Sequence, residues 1–533
     1  MDPVQPKAGG RVEKTILGHP IGLFVLFFTE MWERFSYYGM RAILMLYMTK
    51  YLLLTDEDAG GIYGDYTGLV YLTPLLGGFL ADRYLGLRRS IALGAILMAL
   101  GQGFLSLGFL RHLGGVPEIL RQFPFFYLGL FVLIIGNGLF KPNISTLVGQ
   151  LYRPGDPRRD GAFTIFYMGI NLGACISPLV CGTIGEKYEW HWGFASAGIG
   201  MILGLLTILI FGRRHLGELG TRPAPRQTDA GGKPDPLSRA EKLRIFAVIL
   251  LGASLSIGYA ATVFMKAGGT APAIVPALRA ALWPLAVTFV ATIWMFLMGR
   301  TKGEETSRVN VIFLLGLFVM VFWAAFEQAG SSLTLFADRS TELVDNFYTR
   351  AMNSVMGLFG SGFSKLEASQ FQAVNALAIV IFAPVFSWLW SWLARRGKEP
   401  STPAKMAIAL FLNGMGYAVL YGAAILTEGG RSKVSPNWLF VAYIFQTWGE
   451  LSLSPIGLSM VTRLAPVRFG AMIMGVWFLA NAFANKLAGL GGGLYEKLGT
   501  EDLFGMIGLT QVAAGIILVC CVPFLRRLMG GVK

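Results

Sequence analysis

Residues 21–51 read IGLFVLFFTEMWERFSYYGMRAILMLYMTKY. The run is apolar and longer than the about 20 residues that cross a bilayer core as a helix. Yet it contains Glu30, Glu33, Arg34 and Arg41. A signal-peptide core would not carry these charges, so the segment reads as an uncleaved span. Its polar residues, Glu30, Glu33, Arg34, Tyr37, Tyr38 and Arg41, fall at i, i+3, i+4, i+7, i+8 and i+11. At about 100° per residue they share one helix face. Lipid cannot solvate such a face, so it must look into protein or a water-filled cavity. The segment therefore belongs to a bundle of spans.

The rest of the chain supplies that bundle. Of the 533 residues, 54% are hydrophobic and only 14% charged, where a soluble domain carries about 25% charged residues. Apolar runs read as fourteen spans, at roughly 21–51, 60–81, 90–110, 124–148, 162–184, 192–212, 243–265, 274–299, 309–336, 369–394, 404–426, 437–462, 469–495 and 503–526. The fold class is an all-α membrane protein. The polar segment 213–242, rich in Pro and Gly, separates six spans from eight and reads as a flexible linker. The expected organisation is a six-helix bundle over 1–212, the linker 213–242, two extra helices over 243–299 with no evident chemistry, and a second six-helix bundle over 300–533. The loop 337–368 is long for a helix connection.

The net charge of +14 follows the membrane rather than nucleic acid. Arg11, Lys14, Arg83, Arg88, Arg89, Arg153, Arg158, Arg159, the linker, Arg300, Lys302, Arg308, Arg395, Arg396, Lys398, Arg463, Arg468, Arg526, Arg527 and Lys533 all fall on one side. Asp56, Glu57, Asp58, Glu186 and Glu189 fall on the other. Basic loops stay cytoplasmic and the span number is even, so both termini are expected in the cytoplasm.

The sequence excludes several chemistries. No G-x-x-x-x-G-K-[ST] run is present, which argues against ATP drive. Cys175, Cys181, Cys520 and Cys521 have neither zinc nor disulfide spacing and read as small packing residues. His19, His112, His191 and His215 sit near span ends, so proton chemistry falls to carboxylates, and no metal site is expected. Tyr63-Gly64-Asp65 is not a protease signature, and Asn143-Ile144-Ser145 is a sequon inside a span. Gly64, Gly68, Gly489 and Gly493 read as helix-packing positions, and Pro142, Pro178, Pro384 and Pro455 as kinks.

Further buried ionisable groups lie at Lys141 in the fourth span, Glu327 in the ninth and Glu450 in the twelfth. With about 1.5 Å rise per residue, Glu30 and Lys141 reach similar depth in the inner half. Arg41 and Glu327 do so in the outer half, and Glu450 lies mid-span within reach of an extended Lys141. Two ion pairs would then bracket a central cavity, as alternating access requires. A buried carboxylate that loses its partner takes up a proton, which gives proton coupling a physical route.

Several of these residues stand in blocks that resemble the proton-dependent oligopeptide transporter family of the major facilitator superfamily. Glu30-x-x-Glu33-Arg34-Phe35 matches the family's E-x-x-E-R motif. Gly78-Phe79-Leu80-Ala81-Asp82-Arg83 is similar to the superfamily's loop motif. Leu139-Phe140-Lys141-Pro142-Asn143, Phe166-Tyr167-Met168-Gly169-Ile170-Asn171-Leu172-Gly173, Phe322-Trp323 with Glu327-Gln328, and Gly449-Glu450 with Ser454-Pro455 follow in family order. The resemblance spans nearly the whole chain. It implies the superfamily fold and no enzyme activity, cofactor or metal, with protons as the coupling ion. It also implies di- and tripeptides as substrates and a monomer in the bacterial inner membrane.

By the same resemblance, Glu30, Glu33 and Arg34 with Lys141 would couple the proton, and Arg41 with Glu327 would form the outer gate beside the peptide. Arg34, Tyr38 and Lys141 would receive the peptide carboxylate, and Glu450 with Asn171 and Asn375 its ammonium. Tyr37, Tyr71, Trp323, Ser454, Trp477 and Phe478 would line side-chain pockets. A cation cluster and an anion set one peptide length apart recognise any sequence by its termini, while apolar walls accept varied side chains. Animal relatives carry a histidine in the second span and a large extracellular domain. The segment 60–81 has no histidine, which fits a bacterial member. The competing expectations are a carrier of nitrate or another small anion, for which Glu450 has no use, and a peptide sensor that does not transport.

Overall fold

A computed structural model describes residues 15–112, 124–153, 156, 158–223, 239–266, 274–344, 349–350, 365–466 and 469–530. Arg11, Lys14, Arg468, Lys533, part of the linker and most of the loop 337–368 lie outside the described residues. After a short hairpin of Thr15–Ile16 and His19–Pro20, fourteen long helices follow among the described residues. They are α1 (Ile21–Leu46), α2 (Asp56–Leu72), α3 (Leu87–Ser106), α4 (Phe125–Gln150), α5 (Arg158–Ser177), α6 (Trp190–Leu216) and α7 (Arg239–Lys266). Next come α8 (Ile274–Arg300), α9 (Glu304–Phe326), α10 (Gln372–Arg395), α11 (Thr402–Leu426), α12 (Asn437–Leu464), α13 (Gly470–Gly493) and α14 (Tyr495–Leu528). Helices keep every backbone hydrogen bond inside the segment, the condition for crossing hydrocarbon.

Eleven of these helices, some with their flanking turns, are long and apolar enough to cross a membrane among the described residues. The three outside that set, α1, α2 and α12, carry the buried charges Glu30, Glu33, Arg34, Arg41, Asp65 and Glu450. Such helices are shielded by their neighbours. In α1 nearly every residue from Thr29 to Leu46 is buried, whereas few residues of α7 and α8 are.

α1 lies against α5 and α6, and α3 against α4 and α6. α11 lies against α12 and α14, and α9 against α13. The first six helices meet the last six along two seams, α2 with α13 and α5 with α10. The α2–α13 seam runs antiparallel: Gly60 faces Gly489 and Gly493, Gly64 faces Lys486, and Gly68 faces Ala482. A Cβ at Gly60 or Gly489 would overlap the opposing backbone, so the two glycine pairs seen in sequence are where the helices touch directly.

Several helices break near the centre or ends of the bundle. α2 continues past Thr73 as Pro74–Leu80, then a π turn at Ala81–Leu85. Gly86 ends that turn at φ +80°, a backbone conformation that favours glycine. π turns also follow α1 at Tyr47–Tyr51 and α5 at Pro178–Gly182. The ninth span, expected over 309–336, is divided: α9 stops at Phe326, Glu327–Gly330 forms a 3₁₀ turn, and Ser332–Ser340 is a separate helix.

Candidate functional site

The charges of α1 form two clusters. In the first, Arg34 Nε lies 3.0 Å from Glu30 Oε1 and 2.5 Å from Glu33 Oε2, all three side chains being buried. Asn137 of α4 donates to Glu33 Oε1 at 3.0 Å. The guanidinium also sits over the rings of Tyr37 and Tyr38, at 5.5 and 6.0 Å. Glu30 and Arg34 are one turn apart, the spacing at which helix neighbours meet. Two carboxylates thus share one guanidinium. Although Arg34 Nε is within ion-pair distance, the angles are poor, and Arg34 Nη2 has no hydrogen-bond partner among the described residues.

The expected Glu30–Lys141 pair is not formed in this state. Lys141 Nζ instead stands 4.0 Å from the centre of the Tyr71 ring and makes no ion pair among the described residues. The reason is local: Arg34 already holds Glu30 from the same helix. Lys141 does not pair with Glu450 either.

The second cluster forms as the depth argument expects. Arg41 Nη2 lies 2.5 Å from Glu327 Oε2 with both side chains buried, and Arg41 Nε donates to Tyr63 Oη at 2.7 Å. Glu327 opens the 3₁₀ turn at the end of α9. Interrupted helices recur at transporter ion sites.

Further ties join the two halves at the same end. Lys50 pairs with Asp338, and Arg339 grips both oxygens of Asp56 at 2.7 and 2.8 Å. Lys497 pairs with Glu57 at 2.7 Å. Glu186 accepts from the Ser369 and Ala368 backbone N–H groups at 2.8 and 3.3 Å. This acidic end of the bundle is closed. Ion pairs described at the basic end are local, among them Arg158–Asp156, Arg308–Glu304 and Lys405–Glu399.

Between the two α1 clusters lies a cavity of about 140 Å³. Tyr38, Arg41 and Tyr71 line one wall, and Trp323, Glu327, Asn375 and Glu450 the other; Asn171 and Tyr167 of α5 complete it. Asn375 donates to Glu450 Oε2 at 2.9 Å and to Thr447 Oγ1 at 3.0 Å. Asn171 Nδ2 bonds back to the Tyr167 carbonyl at 2.9 Å. The cavity is smaller than a usual ligand pocket of about 300–1,000 Å³. Larger clefts lie away from the buried charges, one of about 750 Å³ between α11 and α14 and one of about 570 Å³ at the basic end.

Of the residues singled out in the sequence, Tyr38, Arg41, Tyr71, Asn171, Trp323, Glu327, Asn375 and Glu450 meet at this cavity. Glu30, Glu33, Arg34, Tyr37 and Lys141 stand behind the Tyr38 and Tyr71 wall. Tyr37 is fully buried. Trp477 packs over Gly457, Phe478 is exposed, and Ser454 Oγ is buried without a partner among the described residues; none of the three lines the cavity. Tyr167, Gln372 and Tyr443 do line it and were missed. Tyr167 lay inside a quoted motif, one turn before Asn171, and that i,i+4 spacing was the available signal.

A membrane bundle with buried charges bracketing a small central cavity, closed at one end, has the build of a carrier rather than of an enzyme. Comparisons with known proteins agree. The model described as "POT family" matches residues 88–231 and 281–505. The "Uncharacterized transporter YclF" of Bacillus subtilis is 36% identical, covering 98% of this chain and 97% of that one. The "Peptide transporter YePEPT" of Yersinia enterocolitica is also 36% identical, covering 98% of both. A crystal structure of "peptide transporter POT in complex with sulfate" superposes with a TM-score of 0.78 at 36% identity, covering 97% of each chain. A "POT family transporter in complex with 5-aminolevulinic acid" gives 0.76 at 33%, covering 96% of this chain and 98% of that one. The chain is thus a multi-pass secondary transporter with the major facilitator fold. It belongs to the POT family.

Proposed function

We propose that the protein is a proton-coupled symporter that imports di- and tripeptides by alternating access. The observation that supports this best is the polarity of the cavity: Arg41, with Arg34 and Lys141 behind the Tyr38 and Tyr71 wall, faces Glu450 and Asn375. A zwitterion fits that polarity, its carboxylate toward the cations and its ammonium toward Glu450. Tyr71, Tyr167 and Trp323 serve the side-chain pockets in this state, and Tyr37, Ser454, Trp477 and Phe478 only in a wider one. Relatives named as peptide transporters and one structure holding 5-aminolevulinic acid, itself an amine and a carboxylate, support the same chemistry.

The basic end is cytoplasmic in this reading, so the state described is closed outward. Residues 1–212 and 300–533 are the two rocking bundles. A proton reaching Glu327 frees Arg41 and opens the outer end; one reaching the Glu30–Glu33 pair frees Arg34 for the peptide carboxylate. The test is uptake of labelled dialanine into proteoliposomes. Accumulation is expected only with an inward proton gradient, competed by trialanine and not by alanine. Uptake of nitrate instead, or peptide binding with no uptake by folded protein, overturns it in favour of an anion carrier or a sensor.

A further inference from the structure

The α2–α13 seam holds one more buried charge cluster, which the transport reading leaves without a task. Asp65 of α2, almost wholly buried, forms an ion pair with Lys486 of α13. Trp283 of α8 donates from Nε1 to the same Asp65 oxygen at 2.9 Å. Its ring fills the space that Gly68 leaves open on α2 and packs on Phe483 of α13 at 5.7 Å. The Lys486 ammonium stands 5.8 Å from the same ring. One side chain from the extra helix pair thus touches both halves at once. Nearer the basic end, α8 rests on the second half: Trp294 donates to Asn310 at 3.0 Å, and Phe296 meets Phe469 at 5.9 Å.

We propose that α7 and α8 form a lateral latch on this seam, in which Trp283 positions Asp65 for its pairing with Lys486 and so favours the state closed at the acidic end. An ion pair in a low-dielectric site repays its desolvation only when its remaining lone pairs are satisfied. The indole N–H supplies such a bond, and the ring holds Lys486 from a second side. The neighbouring contacts are glycine against glycine backbone, so the side-chain latch is where an outside helix can grip the seam. Opening the acidic end separates α2 from α13 and pulls Asp65 from Lys486. A docked Trp283 resists that motion, and a withdrawn one permits it. This rests on the alternating-access reading, because a latch has meaning only on a seam that opens.

Spin labels at Tyr188 and Leu498, exposed in the two halves at the acidic end, report the separation. The full chain is used in lipid nanodiscs without substrate, with the four native cysteines replaced by alanine. Trp283→Phe keeps an aromatic side chain but removes the donor and the part of the indole that fills the space at Gly68. It is expected to raise the long-distance population about threefold, a population shift rather than a new state. Asp65→Asn should do the same, and the double variant should go no further than either single change. Trp294→Phe, which removes a bond from α8 to the second half alone and leaves the Asp65 contact in place, should change nothing. An unshifted distribution in Trp283→Phe, or additive effects of the two changes, overturns the latch. Intact peptide uptake beside an unshifted distribution sinks the latch alone. A shifted distribution with no uptake in the parent sinks the substrate reading alone.

Discussion

Helix α1 carries two charge clusters, two turns apart, that are built on opposite plans. Around Arg34, both carboxylates come from the same helix, and the added partner, Asn137, comes from α4 in the same half. Around Arg41, the carboxylate comes from the far half, at the broken end of α9. The first cluster can change its protonation without moving a helix. The second cannot lose its pair without loosening the contact between halves. In the proposed reading one helix thus holds a chemical site and a mechanical one, and the difference lies in which element supplies the carboxylate.

Glu327→Gln tests that division most severely. Breaking a buried pair on one side costs about 3–5 kcal/mol. Gradient-driven peptide uptake should therefore fall by about two orders of magnitude, while peptide-for-peptide exchange survives. The Tyr188–Leu498 separation should grow. Glu33→Gln should abolish gradient-driven uptake yet leave that separation unchanged; a lengthened distance would erase the contrast between the clusters.

Two smaller effects sharpen it. Asn375→Ala removes the donor that orients Glu450, a bond to a charged group worth about 1.5–3 kcal/mol. The KM for dialanine should rise about tenfold or more with the separation unmoved. Gly489→Val places a side chain against the Gly60 backbone, and overpacking of this kind costs about 1–3 kcal/mol. It should populate the state open at the acidic end, read by the same Tyr188–Leu498 separation. Smallest of all, Lys497→Gln removes an exposed pair with Glu57 and should change uptake by less than about twofold.

The sequence showed the fold through its apolar runs and their lengths, and showed the site face of α1 because six polar residues at helical spacing have no bland explanation. Depth along the helices was enough to pair Arg41 with Glu327. It misjudged Lys141, because depth ignores competition, and Arg34 lies one turn from Glu30 on the same helix. Glu327 read as part of a continuous span, although backbone broken at that residue lets its side chain reach α1. The loop 337–368 had no assigned role, yet Asp338 and Arg339, at its start, tie Lys50 and Asp56. Lys486 was hidden inside an apolar segment. Asp65 was weighed only as a protease residue, because nothing local reveals a partner more than four hundred positions away.

The buried charges around the cavity also have an electrical reading. Glu30, Glu33, Glu327 and Glu450 are four carboxylates, and Arg34, Arg41 and Lys141 are three cations. A zwitterionic peptide leaves that difference untouched, and one proton cancels it. Each elementary charge moved through 100 mV exchanges about 2.3 kcal/mol with the membrane. Under the proposed orientation, and with one proton carried per peptide and the other six groups ionised, the loaded carrier would be neutral and turn inward with little regard for voltage. The empty one would carry a net negative charge, and an inside-negative potential would push it back to face outward. The membrane potential would then act on the return of the carrier rather than on the arrival of the cargo.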